Sequence, residues 1–206
     1  MNKKIRFSIT TADYVEIVDK CKECDPEDIY SLDEITIYLH THGKRYPLCT
    51  DFLFPIVRDF EGVLQFALEN KLQFNDPEQK DIGFLWSEHL NQLDKAVHHS
   101  EKNFEWNYNN LLVWEYVKTK ATTWMYNKNN SIVLEVTPGY PWHFLPKKGK
   151  NYITYKTFIK NYAPITRIEF SHTIAAQWLA QAQELIQIME KTYEKYASRK
   201  ESQKNT

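Results

Sequence analysis

Residues 121–137 read ATTWMYNKNNSIVLEVT, two short runs rich in aromatic and β-branched residues on either side of a polar centre. Such runs are typical of β-strands. The centre, NKNN at residues 127–130, is rich in asparagine, which tolerates the left-handed backbone that a tight turn requires. The stretch therefore predicts a β-hairpin and, with it, an antiparallel sheet.

Further strands are expected before and after this hairpin. Apolar and polar residues alternate over residues 4–10 and 34–41, which is the period of a half-buried strand. Other segments with the composition of short strands are residues 82–88, 104–108, 111–118 and 166–170. Residues 13–23 fit a short helix slightly better than a strand, and residues 154–162 predict one or two helical turns.

Two longer segments carry apolar residues at helical spacing. The first is residues 50–69, and the second is residues 172–197. The stripe of the second segment runs through Ile174, Trp178, Ala182, Leu185, Met189, Tyr193 and Tyr196. Because a stripe buries one side of a helix, both helices are expected to pack on one face of the sheet. Pairing of two copies through the second stripe, as a homodimer, is the alternative.

The predicted fold class is therefore α+β, a meandering antiparallel sheet with two main helices packed on one face. A chain of 206 residues suits one domain, which we expect over residues 1–197. Residues 198–206 are polar and are expected to form a disordered tail.

The overall charge and composition exclude several partners. Lysine and arginine number 26 against 27 aspartates and glutamates, so the chain is not a generally cationic nucleic-acid binder. Nucleic acid is accordingly not expected as a partner. No stretch approaches the ~18 uncharged apolar residues of a membrane span, so no membrane partner is expected. Three cysteines, an odd number, and the lack of a signal-peptide pattern favour a reduced, cytoplasmic protein.

The sequence contains none of the familiar motifs for catalysis or cofactor binding. Five glycines are too few and too scattered to suggest a phosphate-binding loop. The glutamates of the predicted strands, Glu105, Glu115 and Glu135, are expected to face solvent because strand residues alternate between the two faces. We therefore predict no catalytic residue, no cofactor and no resident metal.

Two cysteines leave one alternative open. Cys21 and Cys24 form a Cys-x-x-Cys pair, which could be half of a zinc site. His40 or His42 could supply further ligands. The spacing is unlike that of paired zinc knuckles, so incidental cysteines are the favoured interpretation.

Charge and aromatic residues instead predict interaction surfaces. Residues 11–34 hold nine acidic residues against two lysines, and such a segment steers a basic partner. Residues 137–150 place aromatic rings among three prolines, which stiffen a loop and lower the entropy lost on binding. The predicted partner-binding residues are Tyr140, Trp142, His143, Phe144, Glu23, Asp25, Glu27 and Asp28. Burial of the rings is one alternative for the loop, and stacking of nucleic-acid bases on its rings is another. For the acids, the alternative is pairing within the same fold.

These observations predict a non-catalytic, cytoplasmic protein-binding module with a basic protein as its partner. One concrete form is a bacterial immunity or antitoxin-like protein that occludes a toxic partner. The alternative is a small hydrolytic or small-molecule enzyme with its site on the open face of the sheet.

Overall fold

A computed structural model describes residues 4–19, 34–96, 106–116, 118, 120–145 and 151–204. The chain divides into two compact units. The first comprises Met1–Lys71 together with Phe170–Thr206, and the second comprises Leu72–Glu169. The second unit is therefore inserted into the first along the chain. The single domain expected over residues 1–197 stays a prediction, and each unit is described by itself.

The α+β class, with antiparallel strands and helices, is confirmed. In chain order the elements are β1 (Lys4–Ser8), β2 (Tyr14–Asp19), β3 (Glu34–Thr41), β4 (Lys44–Phe52), α1 (Leu53–Leu68), α2 (Ile82–Ala96), a 3₁₀ turn (Asn109–Leu111), β5 (Leu112–Tyr116), β6 (Ala121–Lys128), β7 (Ser131–Pro138), α3 (Tyr155–Lys160), β8 (Thr166–Phe170) and α4 (His172–Lys204). The strands form two sheets of four, β1-β2-β3-β4 and β5-β6-β7-β8, where the sequence indicated one.

The first unit packs α1 and α4 together beside its sheet. The residues that α1 buries recur every three or four positions: Leu53, Ile56, Val57, Phe60, Leu64 and Ala67. On α4, the ring of Trp178 lies 6.0 Å from that of Phe7 and 5.8 Å from that of Phe60. Its Nε1 donates a hydrogen bond of 2.9 Å to the carbonyl oxygen of Ser8. The C-terminal helix is therefore tied to the first strand.

The second unit contains the hairpin that residues 121–137 predict. β6 and β7 pair from Ala121 with Pro138 to Lys128 with Ser131. In the turn between them Asn129 has a φ of 53°, the left-handed backbone that asparagine tolerates. The ring of Trp124 lies 5.8 Å from that of Trp86, so α2 packs against one face of this sheet.

Several segments differ from the sequence predictions. Tyr14–Asp19 is a strand and not a helix, because pairing with β1 on one side and β3 on the other satisfies its backbone. Residues 82–88 are helical, since α2 begins at Ile82. Lys44–Phe52 forms a strand that the sequence did not suggest, because Pro47 interrupts its pattern and is tolerated only on an edge strand.

The segment 104–108 also differs from its prediction. In the segment 104–108, predicted as a strand, the described residues 106–108 are not in one, and β5 begins at Leu112. None of the helices within the described ranges combines the length and apolar character that crossing a bilayer requires.

Candidate functional site

The second unit contains a pocket of about 270 Å³, which we call the aromatic pocket. Two of its lining residues come from α2, two from β5 and four from the loop that follows β7: Trp86, Leu90, Glu115, Tyr116, Gly139, Tyr140, His143 and Phe144. Because Trp86 and Leu90 are four residues apart on a helix, their side chains lie on the same side of α2.

The register of the sheet brings the other walls of the pocket together. Tyr116 pairs with Ala121, and Ala121 pairs in turn with Pro138. The end of β5, the start of β6 and the end of β7 therefore lie side by side. The turn after β5 and the loop after β7 leave the sheet at this same end.

Tyr140 and His143 form the buried side of the pocket. Both side chains are almost fully buried, and their ring centroids lie 4.9 Å apart in an edge-to-face arrangement. The hydroxyl of Tyr140 donates a hydrogen bond of 2.7 Å to the carbonyl oxygen of Ile153. Burial raises the pKa of the Tyr140 phenol to about 12, so this phenol stays neutral at physiological pH.

Phe144 stands at the mouth of the pocket in an unusual conformation. Its side chain is 54% exposed, and its φ is 58°, in the left-handed region that bulky residues rarely adopt. Its backbone N–H donates a hydrogen bond of 3.1 Å to Oδ1 of Asp94 on α2. The fold therefore holds a strained backbone so that an aromatic ring faces solvent beside the pocket.

The opposite rim is held by a close approach of two backbone segments. Gly139 N donates a hydrogen bond of 2.6 Å to the carbonyl oxygen of Lys120. A Cβ on Gly139 would lie 2.3 Å from that oxygen, so a larger residue does not fit. Lys120 itself has a φ of 54°. The pocket thus has left-handed residues at two points of its rim.

Charged groups are confined to the rim. Glu115 and Lys120 line the pocket and are both exposed. Among the residues that the structure describes, Glu115 has no hydrogen-bond or ion-pair partner. Its carboxylate is therefore open to a ligand, whereas the interior of the pocket is mostly aromatic and apolar.

The residues predicted for partner binding are found in different places. Tyr140, His143 and Phe144 come together in the aromatic pocket. Trp142 is half-buried beside the ring of Tyr152, 5.5 Å away edge to face. Two of the four rings are thus buried, as the alternative for this loop proposed. The four acidic residues, Glu23, Asp25, Glu27 and Asp28, lie outside the described residues.

The three strand glutamates differ in their surroundings. Glu115 is exposed, as expected, and Glu105 lies outside the described residues. Glu135 is fully buried, which contradicts the solvent-facing position predicted for it. Its Oε2 accepts hydrogen bonds from Tyr126 Oη at 2.7 Å and from Arg167 Nε at 2.8 Å. Burial raises the pKa of the Glu135 carboxyl, and these two donors oppose that rise.

The zinc alternative falls mainly outside the described part of the chain. Cys21 and Cys24 are not among the described residues. His40 Nε2 lies 3.2 Å from Oε2 of Glu16, and Cys49 is buried. Within the described ranges no three His, Cys, Asp or Glu side chains are grouped so as to hold a metal ion.

Several residues of the pocket could not be identified from the sequence. Trp86 and Leu90 have helical spacing, but the short alternation at residues 82–88 obscured it. Glu115 and Lys120 carry no local signal, because only strand pairing brings them beside the loop after β7.

Comparisons with protein-family models, curated proteins and solved structures found no match for this chain.

Proposed function

We propose that this protein is a protein-binding module whose aromatic pocket takes one side chain of a partner protein. Three features of the pocket support the proposal: its size, its distribution of polar groups and the conformation of Phe144.

The size of the pocket favours a single side chain over a larger ligand. Sites for drug-sized molecules and cofactors typically measure about 300–1,000 Å³. A cavity of about 150 Å³ is enough for a benzene molecule. At about 270 Å³ the aromatic pocket lies between these values. It has room for one long or aromatic side chain.

The polar groups are arranged as in protein interfaces. Such interfaces have an apolar, fully desolvated centre surrounded by a polar rim. Here the centre is formed by Trp86, Tyr140 and His143, and the rim by Glu115 and Lys120. Phe144 and its neighbour Leu145 are both exposed, so the apolar surface continues outside the pocket. A partner would bury this surface around its anchoring side chain.

The conformation of Phe144 is the observation that carries the proposal. A left-handed backbone costs a bulky residue about 1–2 kcal/mol, and an exposed ring recovers little of that by burial. Strain of this kind is found at binding sites, where the surrounding structure maintains it. The hydrogen bond from Phe144 N to Asp94 maintains it here.

The finer aspects of the proposal concern the partner. A basic partner is proposed because of the acidic segment 11–34 and the open carboxylate of Glu115. The immunity or antitoxin-like form is one case of this function, and it requires that the bound partner be toxic when expressed alone. The enzyme with its site on the open face of the sheet stays a prediction.

A titration with single amino-acid analogues tests the pocket directly. We would add the N-acetyl amides of tryptophan, leucine, arginine and glutamate to ¹⁵N-labelled protein and follow the amides of Lys120 and Gly139 and the indole of Trp86. The tryptophan, leucine or arginine compound is expected to shift these signals with a Kd on the order of 1 mM, the scale for a ligand of this size.

Two variants provide the control for this titration. Phe144→Ala removes the exposed ring at the pocket and is expected to weaken the interaction several-fold. Phe66→Ala removes a similarly exposed ring, 45% against 54%, from α1 of the first unit, and should have no effect. The proposal is wrong if none of the four compounds shifts the pocket signals, or if the glutamate compound binds as well as the others.

A further inference from the structure

The sheet of the first unit has one face with an ordered set of aromatic and basic side chains. Strand alternation places Phe7, Ile17 and Leu39 in the buried core. Six residues of opposite parity lie together on the other side of the sheet, in a patch that we call the arginine–tyrosine face: Arg6, Tyr14, Glu16, Tyr38, His40 and Arg45.

The register arranges these six side chains in two adjacent rows. Arg6 pairs with Glu16, and Glu16 with Tyr38. In the next row Tyr14 pairs with His40, and His40 with Arg45. Rows of this kind are about 7 Å apart, two residues along a strand. Each arginine is therefore diagonal to a tyrosine of the other row.

Each arginine lies over a tyrosine ring. The guanidinium carbon is 3.7 Å from the ring centroid for Arg6 over Tyr14, and 3.4 Å for Arg45 over Tyr38. The rings of Tyr14 and His40 are stacked, with centroids 4.3 Å apart and planes at 14°. The guanidinium groups therefore cover the tyrosine rings, and the planar groups that meet solvent first are those of Arg6 and Arg45.

The charge of this face is positive toward solvent. Glu16 is only 2% exposed, and its Oε2 lies 3.2 Å from His40 Nε2 and 3.5 Å from Arg45 Nη2. The one carboxylate of the set is therefore beneath the cations. Arg6 is exposed and forms no ion pair within the described residues. An anionic ligand would meet both guanidinium groups first.

We propose that the arginine–tyrosine face binds single-stranded nucleic acid. Unpaired bases stack on aromatic rings and on guanidinium planes, and the same arginines can meet phosphates. A four-stranded sheet surface that combines both chemistries matches an extended strand better than a compact anion. The near-zero charge of the whole chain does not oppose this, because a bound strand responds to the local charge of the face.

Fluorescence anisotropy with labelled U and dT oligonucleotides of about 12 nucleotides, on the scale of known single-strand sites, tests the proposal on the full-length protein. Binding is expected at about 50 mM salt. If the two arginines neutralise two phosphates, a plot of the logarithm of the binding constant against that of the salt concentration should have a slope of about −1.4. Absence of binding to both oligonucleotides would overturn the proposal.

Charge-matched variants locate the binding to this face. Arg6→Gln and Arg45→Gln are each expected to weaken binding about fivefold or more, the scale of one lost base stack. Arg58→Gln is the control, because Arg58 on α1 is as exposed as Arg45, 46% against 45%. Equal losses in Arg58→Gln and Arg45→Gln would show a general charge effect and contradict the assignment.

Two further measurements separate stacking from charge alone. Arg45→Lys keeps the charge but removes the planar group, so it should also weaken binding, and unchanged affinity would exclude the stacking role. Polyglutamate should compete much less well than unlabelled U oligonucleotide. Equal competition would mean that the face recognises acidic polymers in general. Both arginines are exposed, and His40 still contacts Glu16 when Arg45 is replaced, so the variants are expected to keep the wild-type circular dichroism spectrum.

Discussion

Glu135 is the residue whose position differs most from the sequence prediction. Its strand is buried on both faces, so alternation does not bring it to solvent. The guanidinium of Arg167 bridges it to Asp81, with Nη2 2.7 Å from Glu135 Oε2 and 2.6 Å from Asp81 Oδ1. Alternation predicts which side of a sheet a residue faces, but not what covers that side.

The variant Glu135→Gln should therefore be clearly less stable than the wild type. The amide replaces a carboxylate that pairs with the Arg167 guanidinium and accepts hydrogen bonds from Arg167 Nε and Tyr126 Oη, so we expect a loss of about 2 kcal/mol. For a chain of this length that lowers the Tm by about 4–8 °C in a thermal melt. Glu115→Gln, in the exposed position, should change the stability by less than about 0.5 kcal/mol. Equal stability of the two variants would contradict this interpretation of Glu135.

A second prediction concerns the carboxyl of Asp13 and the way in which stability depends on pH. Hydrogen bonds from the hydroxyls of Thr41 at 2.7 Å and Thr10 at 2.9 Å hold the pKa of the Asp13 carboxyl below its ordinary value. The folded state therefore favours the ionised form. The stability that this provides is present above the ordinary pKa of aspartate and is lost as the pH falls through the lowered pKa.

Thr41→Val removes the larger of these two effects while keeping the shape of the side chain. The pKa of Asp13 should rise toward its ordinary value, which an NMR titration of the carboxyl measures. Thr192→Val is the control, because its hydroxyl donates to a carbonyl within α4, and the pKa of Asp13 should not change. An identical Asp13 pKa in the wild type and Thr41→Val would show that the hydrogen bond has no such effect.

At the scale of elements, those defined by residues close together in the sequence were predicted correctly. Those defined by pairing between distant segments were not. The β6–β7 hairpin, β3 and the two main helices follow from residues within one element or turn. Ile82, Phe84 and Trp86 alternate like a strand over five residues, whereas the helical spacing is visible only when Leu90 is included. Pro47 obscured β4, which is defined by its pairing with β3.

The same distinction applies to the aromatic pocket. The aromatic loop is a local feature, so Tyr140, His143 and Phe144 were predicted as binding residues. Glu115, Lys120 and Trp86 lie on three other segments that only tertiary packing brings to the loop. The exposure of individual rings also depends on packing, since Tyr140 is buried and Phe144 is not.

Because the backbones of Gly139 and Lys120 are in close contact, a side chain at position 139 is expected to destabilise the loop after β7. Gly139→Ala should force the two backbones apart, at a cost of about 1–3 kcal/mol, and should weaken the analogue binding described above. Gly62→Ala on α1 is the control, because nothing lies within 4 Å of its Cβ position. That variant should gain about 0.5–1 kcal/mol through helix propensity. Chemical denaturation measures the free energy of unfolding of both variants. A Gly139→Ala variant as stable as the wild type would exclude a tight contact.

At the scale of the whole molecule, the first unit is built from both ends of the chain. α4 supplies Trp178, Ala182, Leu185, Ile186 and Met189 to its buried core. Contacts between residues this far apart in sequence form late and at high entropic cost. The sheet of the first unit is therefore expected to depend on α4, which is far from it in the sequence.

Truncation tests this dependence. A chain that ends at Phe170 should lose hydrogen-exchange protection in β3, because α1 and the sheet lack their covering helix. A chain that ends at residue 197 keeps every side chain of α4 described as buried, and its protection should match the wild type within about 1 kcal/mol. Protected β3 amides in the shorter chain would show that the sheet folds without α4.

Photo-cross-linking from the mouth of the aromatic pocket tests whether this pocket binds a partner protein. A benzophenone amino acid would replace Phe144 in one culture of the source cells and the comparably exposed Phe66 in another. We expect one protein to be cross-linked in near-stoichiometric yield from position 144 and not from position 66. A cross-link pattern from position 144 that matches the one from position 66, or no adduct at all, would contradict it.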